Sequence, residues 1–168
     1  TQGPFMIWHD SHAVKIDVEW KLYDTVVIFS KEEKKLSSTD GHKLAETSPL
    51  FEERLESLPE RTEELLKALK RKDFHTLGPI LEKEALNMHA VMQSTQPPFN
   101  YLTSDTETFL KAIKSLEQRD FYFTLDAGPN VHLISEEPIL KSVQELLNKT
   151  GLNAEIWEDE AGFGPEII

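Results

Sequence analysis

The spacing between apolar residues changes along the sequence. Stretches with the spacing of strands and stretches with the spacing of helices form separate blocks. Alternating and β-branched stretches at 12–20 and 23–30 predict two strands. Apolar residues then recur at three- and four-residue steps as far as residue 116, which predicts a group of four helices. Two apolar runs at 121–125 and 131–134, a helix and a strand follow. Segregated blocks of this kind predict an α+β fold, with helices packed on one face of an antiparallel sheet.

Capping residues and prolines predict where the helices begin and end. Ser48-Pro49 is typical of a helix start, and Pro59 predicts a kink or break in the helix that follows. Asp73 is suited to cap the next helix, which must stop before Pro97-Pro98.

Two further helices are predicted in the second half of the chain. "SDTE" at 104–107 has the pattern of a capping box. The last helix is expected to start near Ser135 and to end at Gly151, and "NAEIWE" after it is expected to be a strand.

Composition limits the classes of function. The 168 residues carry a net charge of −12 and no cysteine, which argues against nucleic-acid or anionic-membrane binding and excludes disulfides and thiolate metal sites. No apolar run reaches membrane-spanning length. "TQGPFMIWHD" lacks a basic n-region and an initial methionine, so we expect a piece of a longer chain.

Asp126 ends an apolar run and is followed directly by Ala-Gly-Pro-Asn. In one interpretation it is a turn residue, whose carboxylate bonds backbone N–H groups nearby. In the other it is a partly desolvated carboxylate at a strand end, placed to orient or deprotonate a hydroxyl. Local sequence leaves both open.

A second candidate site is "KKLSSTDG" at 34–41, where three hydroxyl residues precede a helix. Backbone N–H groups at a helix start, together with hydroxyls, can bind an anion. The alternative is an ordinary cluster of N-capping residues. A Walker P-loop is excluded, because its glycine pattern and its lysine are absent.

The histidines and the proline-rich loop at 94–103 carry weaker signals. His89 and His132 are expected to be structural hydrogen-bonding residues, and the loop to be packed, with a role in the wall of the site as the alternative. The histidines show no zinc spacing such as HExxH, and no metal ligand is predicted; they are His9, His12, His42, His75, His89 and His132.

Four segments together resemble one enzyme family. They are "KKLSSTDG…ETSPLF", "EALNMHAVMQSTQPPFNYLT", "FYFTLDAGPNVHLI" and the closing "GFGP". In this order they resemble the C-terminal portion of the diphosphomevalonate decarboxylases, members of the GHMP kinase superfamily, over nearly the whole chain. The resemblance implies the GHMP kinase C-terminal-domain fold, which is ferredoxin-like with extra helices.

The resemblance also implies a reaction and a set of site residues. Members use ATP and Mg²⁺ to phosphorylate the tertiary 3-hydroxyl of mevalonate 5-diphosphate; phosphate and CO₂ then leave, giving isopentenyl diphosphate for isoprenoid synthesis. It implies that Asp126 is the catalytic carboxylate, that Ser38 and Thr39 contact the substrate, and that Ala127 brings backbone against it. His42 stands where members commonly carry methionine, which bears on substrate preference.

The same resemblance divides the chain and its sites. Residues 1–30 would be strands ending the N-terminal GHMP domain, and residues 31–168 the C-terminal domain. Most of the ATP and Mg²⁺ site belongs to the N-terminal half, so no cofactor-binding residue is assigned here and the chain is expected to be inactive alone. A cytoplasmic location and a homodimer are also implied.

Two alternatives remain at this point. A decarboxylase of mevalonate monophosphate or bisphosphate would share these segments, because most phosphate contacts lie upstream. A non-catalytic ligand-binding module on the same scaffold belongs to another class, since a fold does not fix a function.

Overall fold

The structure is a computed structural model that describes residues 5–9, 12–32, 36 and 38–162, without the side chains of His9 and Ser38. These ranges contain six strands and five helices. The strands are β1 Met6–His9, β2 His12–Lys15, β3 Tyr23–Ile28, β4 Phe121–Leu125, β5 Val131–Ser135 and β6 Glu155–Glu160. The helices are α1 Ser38–Ala45, α2 Phe51–Arg71, α3 Phe74–Gln93, α4 Ser104–Lys114 and α5 Leu140–Thr150.

Four strands form one antiparallel sheet in the order β4-β5-β3-β6. Strands β4 and β5 are neighbours in the chain, and Leu125 lies opposite Val131. Strand β3 comes much earlier in the sequence but lies between β5 and β6. With α5 connecting β5 to β6, this is the ferredoxin-like strand order. The predicted α+β fold with an antiparallel sheet is confirmed.

Helices α4 and α5 form the main layer against one face of the sheet. Side chains alternate along a strand, so Phe123 and Leu133 both point to this face, where each is 0% exposed. They share one core cluster with Phe109 of α4 and Val143 of α5. This layer corresponds to the predicted packing of helices on a sheet face.

A second core cluster lies at the opposite face of β4 and β5. Tyr122 and Ile134 point there and pack against a cluster that includes Leu69 of α2 and Leu77 of α3. Helix α2 and the first half of α3 therefore add a second helical contact at one end of the sheet.

The predicted strand over 12–20 is wrong beyond Lys15. Strand β2 covers only His12–Lys15 and pairs with β1, which the sequence analysis did not predict. Ile16 and Val18 are buried in the second core cluster instead. The alternation in the sequence therefore reflects burial, which extends past the residues that form strand pairs.

Helix α3 runs along the free edge of β4 and covers it. The Glu82 carboxylate accepts a hydrogen bond from the Phe123 N–H (3.2 Å), and the His89 ring donates one to the Asp126 carbonyl oxygen (3.1 Å). Seven helical residues advance about 10.5 Å and three strand residues about 10 Å. The two side chains therefore match the spacing of the backbone groups that they bind, and they occupy an otherwise unpaired edge.

Pro59 lies inside α2, which runs unbroken from Phe51 to Arg71, so the break considered for this position is absent. Arg54 and Arg61, on either side of the proline, both form ion pairs with Glu84 of α3. Both halves of α2 are thus held to the same partner helix, which offsets the hydrogen bond that proline removes.

Several predicted helix ends are confirmed by direct contacts. The Asp73 carboxylate caps α3 by accepting the Thr76 N–H (3.1 Å), and α3 ends at Gln93, before the two prolines. Gly151 follows α5 with φ 69°, the left-handed conformation that glycine adopts without strain.

Predicted helix starts are less accurate than the ends. Helix α2 begins at Phe51 with Leu50 as its N-cap, and not at Ser48-Pro49. The predicted starts of α4 and α5 are also wrong by one or more residues. The N-cap of α4 is Thr103, whose hydroxyl accepts the Thr106 N–H (3.2 Å), so "SDTE" is not a capping box. Helix α5 begins at Leu140 because the distant Glu158 carboxylate accepts the N–H groups of Ile139 and Leu140 (3.2 Å each).

The division of the chain after residue 30 stays a prediction. Strand β3 precedes that boundary in sequence, yet it forms hydrogen-bonded ladders with both β5 and β6.

Candidate active site

The turn at 126–130, between β4 and β5, is held by three other parts of the fold. His89 of α3 donates to the Asp126 carbonyl, and the Thr106 hydroxyl of α4 donates to the Pro129 carbonyl (2.6 Å). The Asn130 side chain accepts the N–H groups of Phe29 and Ser30, just beyond β3 (3.1 and 3.2 Å). The backbone of the turn is therefore fixed from several directions.

Asp126 itself is exposed, so the expectation of a partly desolvated carboxylate is wrong for this chain. Its carbonyl accepts the Gly128 N–H (2.7 Å) in addition to the His89 hydrogen. The backbone of Asp126 thus makes the turn, while its carboxylate extends from it. The turn is thus made by the Asp126 carbonyl and not by its carboxylate as the turn interpretation had it, and the carboxylate stays available for the catalytic interpretation.

Asp126 and Ala127 line a cleft of about 760 Å³ between α1, α2, α3 and the turn. His42 of α1, Arg54 of α2 and Tyr101 of the proline-rich loop line the same cleft. The remaining lining residues are mostly apolar: Gly41, Ala45, Glu46, Phe51, Leu55, Leu58, Met88, Val91, Met92 and Leu125. The structure therefore brings the predicted carboxylate together with His42 and with residues that the sequence analysis did not assign.

The predicted short helix is present as α1, but it begins earlier than predicted: Ser38 and Thr39 are its first two residues and do not precede it. Thr39 is exposed and is not among the described residues that line the cleft, of which Gly41 is the first in α1. The upstream residues Lys34, Lys35 and Ser37 of the predicted anion site lie outside the described residues, as does most of "GFGP".

Tyr101 lies close to both α1 and His89 of α3. Its ring lies edge-on to His89, with centroids 6.1 Å apart, and a Cβ added to Gly41 would lie 2.5 Å from its hydroxyl oxygen. Glycine at 41 therefore permits α1 to approach Tyr101. Burial, followed by the charge of Asp40, raises the pKa of the Tyr101 phenol. The considered role of the proline-rich loop in the cleft wall is thus seen in the structure.

Arg54 places a cation in the cleft wall. Its guanidinium pairs with Glu84 and donates to the Asn87 side-chain oxygen (2.6 Å), and Arg61 pairs with the same glutamate. Burial raises the pKa of Glu84, but the bonds from the two arginines outweigh it and lower the value overall. Two arginines therefore share the one carboxylate of Glu84.

The two histidines predicted to be structural both make side-chain hydrogen bonds. His89 is 2% exposed and bonds the Asp126 carbonyl; burial lowers its pKa, and that bond partly offsets the effect. His132 Nδ1 lies 2.9 Å from the Asp24 carboxylate, and this hydrogen bond raises the pKa of His132.

Within the described ranges, no group of three or more acidic or histidine side chains comes together as a metal site. None of the described helices is long and apolar enough to cross a membrane.

The strand order and helical layers define an α+β domain of the ferredoxin-like type found at the C-terminus of GHMP kinase superfamily proteins. A family model described as "Mevalonate 5-diphosphate decarboxylase C-terminal domain" matches residues 25–162. The chain therefore belongs to this family.

Individual relatives agree with the family model. The diphosphomevalonate decarboxylase of Candida albicans is 31% identical over 162 residues, covering 88% of this chain and 45% of the relative. The solved mevalonate pyrophosphate decarboxylase of Streptococcus pyogenes has a TM-score of 0.77 and 32% identity, covering 92% of this chain and 49% of the other.

A further solved structure, described as "MDDEF in complex with MVAPP, AMPPCP and Magnesium", has a TM-score of 0.69 and 28% identity, covering 83% of this chain and 46% of that one. This chain thus spans a little under half the length of the relatives that it matches.

Proposed function

We propose that this chain is the C-terminal part of an enzyme that decarboxylates mevalonate 5-diphosphate to isopentenyl diphosphate with ATP. The observation that carries the proposal is the Asp126 carboxylate, exposed beside a cleft on a turn that α3, α4 and the end of β3 hold in place. The family match over residues 25–162 supports the substrate class.

In the proposed reaction Asp126 acts on the tertiary 3-hydroxyl of the substrate. The carboxylate accepts the hydrogen of that hydroxyl, either aligning the oxygen or removing its proton as the oxygen bonds to the γ-phosphorus of ATP; the bond from that phosphorus to the bridging oxygen breaks, and ADP leaves. The new phosphate ester then leaves as phosphate while the C–C bond to the carboxyl group breaks, releasing CO₂ and leaving the alkene. A fixed turn favours this chemistry because it holds the carboxylate in one orientation.

The substrate contacts are proposed at the start of α1 and beside Asp126. Ser38 and Thr39 lie at a helix N-terminus, where backbone N–H groups and hydroxyls favour an anion. Ala127 follows the carboxylate and lines the cleft, as does His42, whose imidazole is a further donor toward an anionic substrate.

Nucleotide and magnesium use is supported for the family by the relative described with AMPPCP and magnesium. Magnesium in nucleotide sites is usually held by one or two carboxylates together with the phosphates, and this chain covers only 46% of that relative. The proposal therefore assigns ATP and Mg²⁺ contacts mainly to the part of the protein outside this chain. A cytoplasmic location and a homodimer stay predictions.

The test is an assay of the full-length protein with ATP, Mg²⁺ and either mevalonate 5-diphosphate or mevalonate 5-phosphate. We expect isopentenyl diphosphate, inorganic phosphate and CO₂ in equal amounts from the diphosphate. Turnover of the monophosphate alone would replace the proposed substrate with the alternative one. Binding of either compound without turnover would favour the non-catalytic module.

A further inference from the structure

His89 contacts the backbone of Asp126 from inside the protein. Its Nε2 lies 3.1 Å from the Asp126 carbonyl oxygen. A carbonyl oxygen accepts hydrogen bonds and donates none, so Nε2 carries the ring hydrogen when the histidine is neutral. Nδ1 then holds a lone pair.

The other ring nitrogen has no such partner. Nδ1 is buried and without a hydrogen-bond partner among the described residues, and the ring lies perpendicular to that of Tyr101. An unpaired buried polar atom is unfavourable, and a leucine would fill similar space without it. The imidazole is therefore explained by the bond that Nε2 makes, since packing alone favours an apolar side chain.

We propose that His89 is a positioning residue for Asp126, whose backbone it holds so that the exposed carboxylate keeps its direction into the cleft. This inference rests on the proposed function. Two donors, His89 Nε2 and the Gly128 N–H, converge on the one carbonyl and fix the plane of that peptide group. The side chain of Asp126 is attached to the α-carbon beside that plane. Because the residue is exposed, packing around the carboxylate does not orient it, and the backbone must do so.

The mode of action is a donated hydrogen rather than a charge. Burial lowers the pKa of His89, and the bond to the Asp126 carbonyl offsets this only in part. The ring is therefore neutral near pH 7, and an uncharged donor of similar reach should replace it.

The test compares His89→Leu and His89→Gln in the full-length enzyme. Leucine removes the donor, and we expect kcat to fall ~10- to 100-fold with little change in KM, as for other small misplacements of a reacting group. Glutamine keeps an N–H donor at a similar distance and should recover most of the loss.

Ser135→Ala is the matched control. Ser135 is 0% exposed and bonds the Glu137 carbonyl at the far end of β5, so its loss removes a comparable buried hydrogen bond away from the turn. It should lower stability and leave kcat unchanged. Wild-type kcat in His89→Leu, or an equal loss in all three variants, would overturn the positioning role.

A spectroscopic readout separates this inference from the proposed function. In ¹⁵N NMR of the unsubstituted protein, His89 should show a protonated Nε2 and an unprotonated Nδ1 near pH 7. An unprotonated Nε2 would overturn the inference even in an active enzyme. If the expected ring state is found but the unsubstituted protein fails to decarboxylate mevalonate 5-diphosphate, the proposed function fails and the inference does not. Hydrogen exchange of the Gly128 N–H then decides whether the histidine holds the turn. We expect that exchange to be slow in the unsubstituted protein and fast in His89→Leu.

Discussion

At the scale of single residues, backbone bonds place the candidate catalytic carboxylate. Asp126 is exposed, yet its carbonyl receives hydrogens from His89 and Gly128, and the same turn is bonded through Pro129 and Asn130. An exposed carboxylate can therefore be both accessible to a substrate and restricted in position.

Gly78 is a residue at which one methyl group should matter. A Cβ there would lie 1.9 Å from the Tyr122 ring, which packs against Phe74 and the Arg119 guanidinium and so has little room to move. We expect Gly78→Ala to lower the free energy of unfolding by about 1–3 kcal/mol, measured by urea denaturation. Gly162→Ala is the control, because its Cβ would meet no heavy atom within 4 Å. Equal stability of the two variants would contradict the packing.

His132 predicts a pH dependence of stability. The hydrogen bond with Asp24 raises the pKa of His132 above its ordinary value of about 6.5. The folded state therefore binds the proton more tightly than the unfolded state. The stabilisation is fully present below about pH 6.5 and is lost as the pH rises through the folded-state pKa.

The measurement is urea unfolding of the unsubstituted chain and His132→Gln across pH. We expect the variant to be less stable by about 0.5–1 kcal/mol at pH 6, and the difference to shrink toward pH 9. His89, whose pKa is lowered, contributes equally to both proteins and cancels in the difference. A difference independent of pH would argue against the charged pair.

At the scale of secondary-structure elements, α3 connects most of the site. Glu82 and His89 bind the edge of β4 and the turn after it, while Glu84 and Asn87 bind arginines of α2. One helix therefore sets the positions of both the candidate catalytic turn and the opposite wall of the cleft.

The pairing of α2 with α3 can be tested at Glu84. Glu84→Gln removes the shared anion of Arg54 and Arg61, whose side chains are 16% and 10% exposed. Breaking a fully buried pair costs about 3–5 kcal/mol, and we expect about 2 kcal/mol here, because Glu84 keeps contact with water. The measurement is the denaturation midpoint, and Glu63→Gln is the control. Glu63 forms an exposed ion pair with Lys67, which should contribute nothing measurable to the free energy of unfolding.

The elements that could be predicted are those with a local cause. Strand β4 is found at its predicted residues 121–125, and the caps at Asp73 and Gly151 lie where predicted, because each depends on neighbouring residues. The start of α5 was wrong because Glu158, distant in sequence, sets it.

The positions of the candidate site residues could be predicted to a similar extent, again only where they depend on neighbouring residues. The motif predicts Asp126 at the end of a strand, where it lies, and its catalytic role stays a prediction. Its exposure and its bond to His89 depend on how α3 lies along β4. Arg54 gave no local signal, since its role comes from its contact with Glu84. Gly41 lies in the predicted anion-site motif, but its approach to Tyr101 depends on the fold.

At the scale of the whole molecule, we propose that this chain supplies only some of the residues that the reaction requires. The described residues place Asp126, His42 and Arg54 around the cleft. The relatives that the chain matches are about twice its length.

We therefore expect this chain alone to be inactive. Incubated with ATP, Mg²⁺ and mevalonate 5-diphosphate, it should release neither phosphate nor isopentenyl diphosphate, whereas the full-length protein should form both. Product formation by the isolated chain would show that the missing contacts are dispensable.

The most direct test of the central claim is Asp126→Asn in the full-length protein. The variant keeps the backbone bonds of the turn and the size of the side chain but replaces the carboxylate with an amide. We expect turnover of mevalonate 5-diphosphate to be abolished, while the unfolding midpoint stays near that of the unsubstituted protein. Full activity in a folded Asp126→Asn enzyme would contradict the catalytic role of this carboxylate.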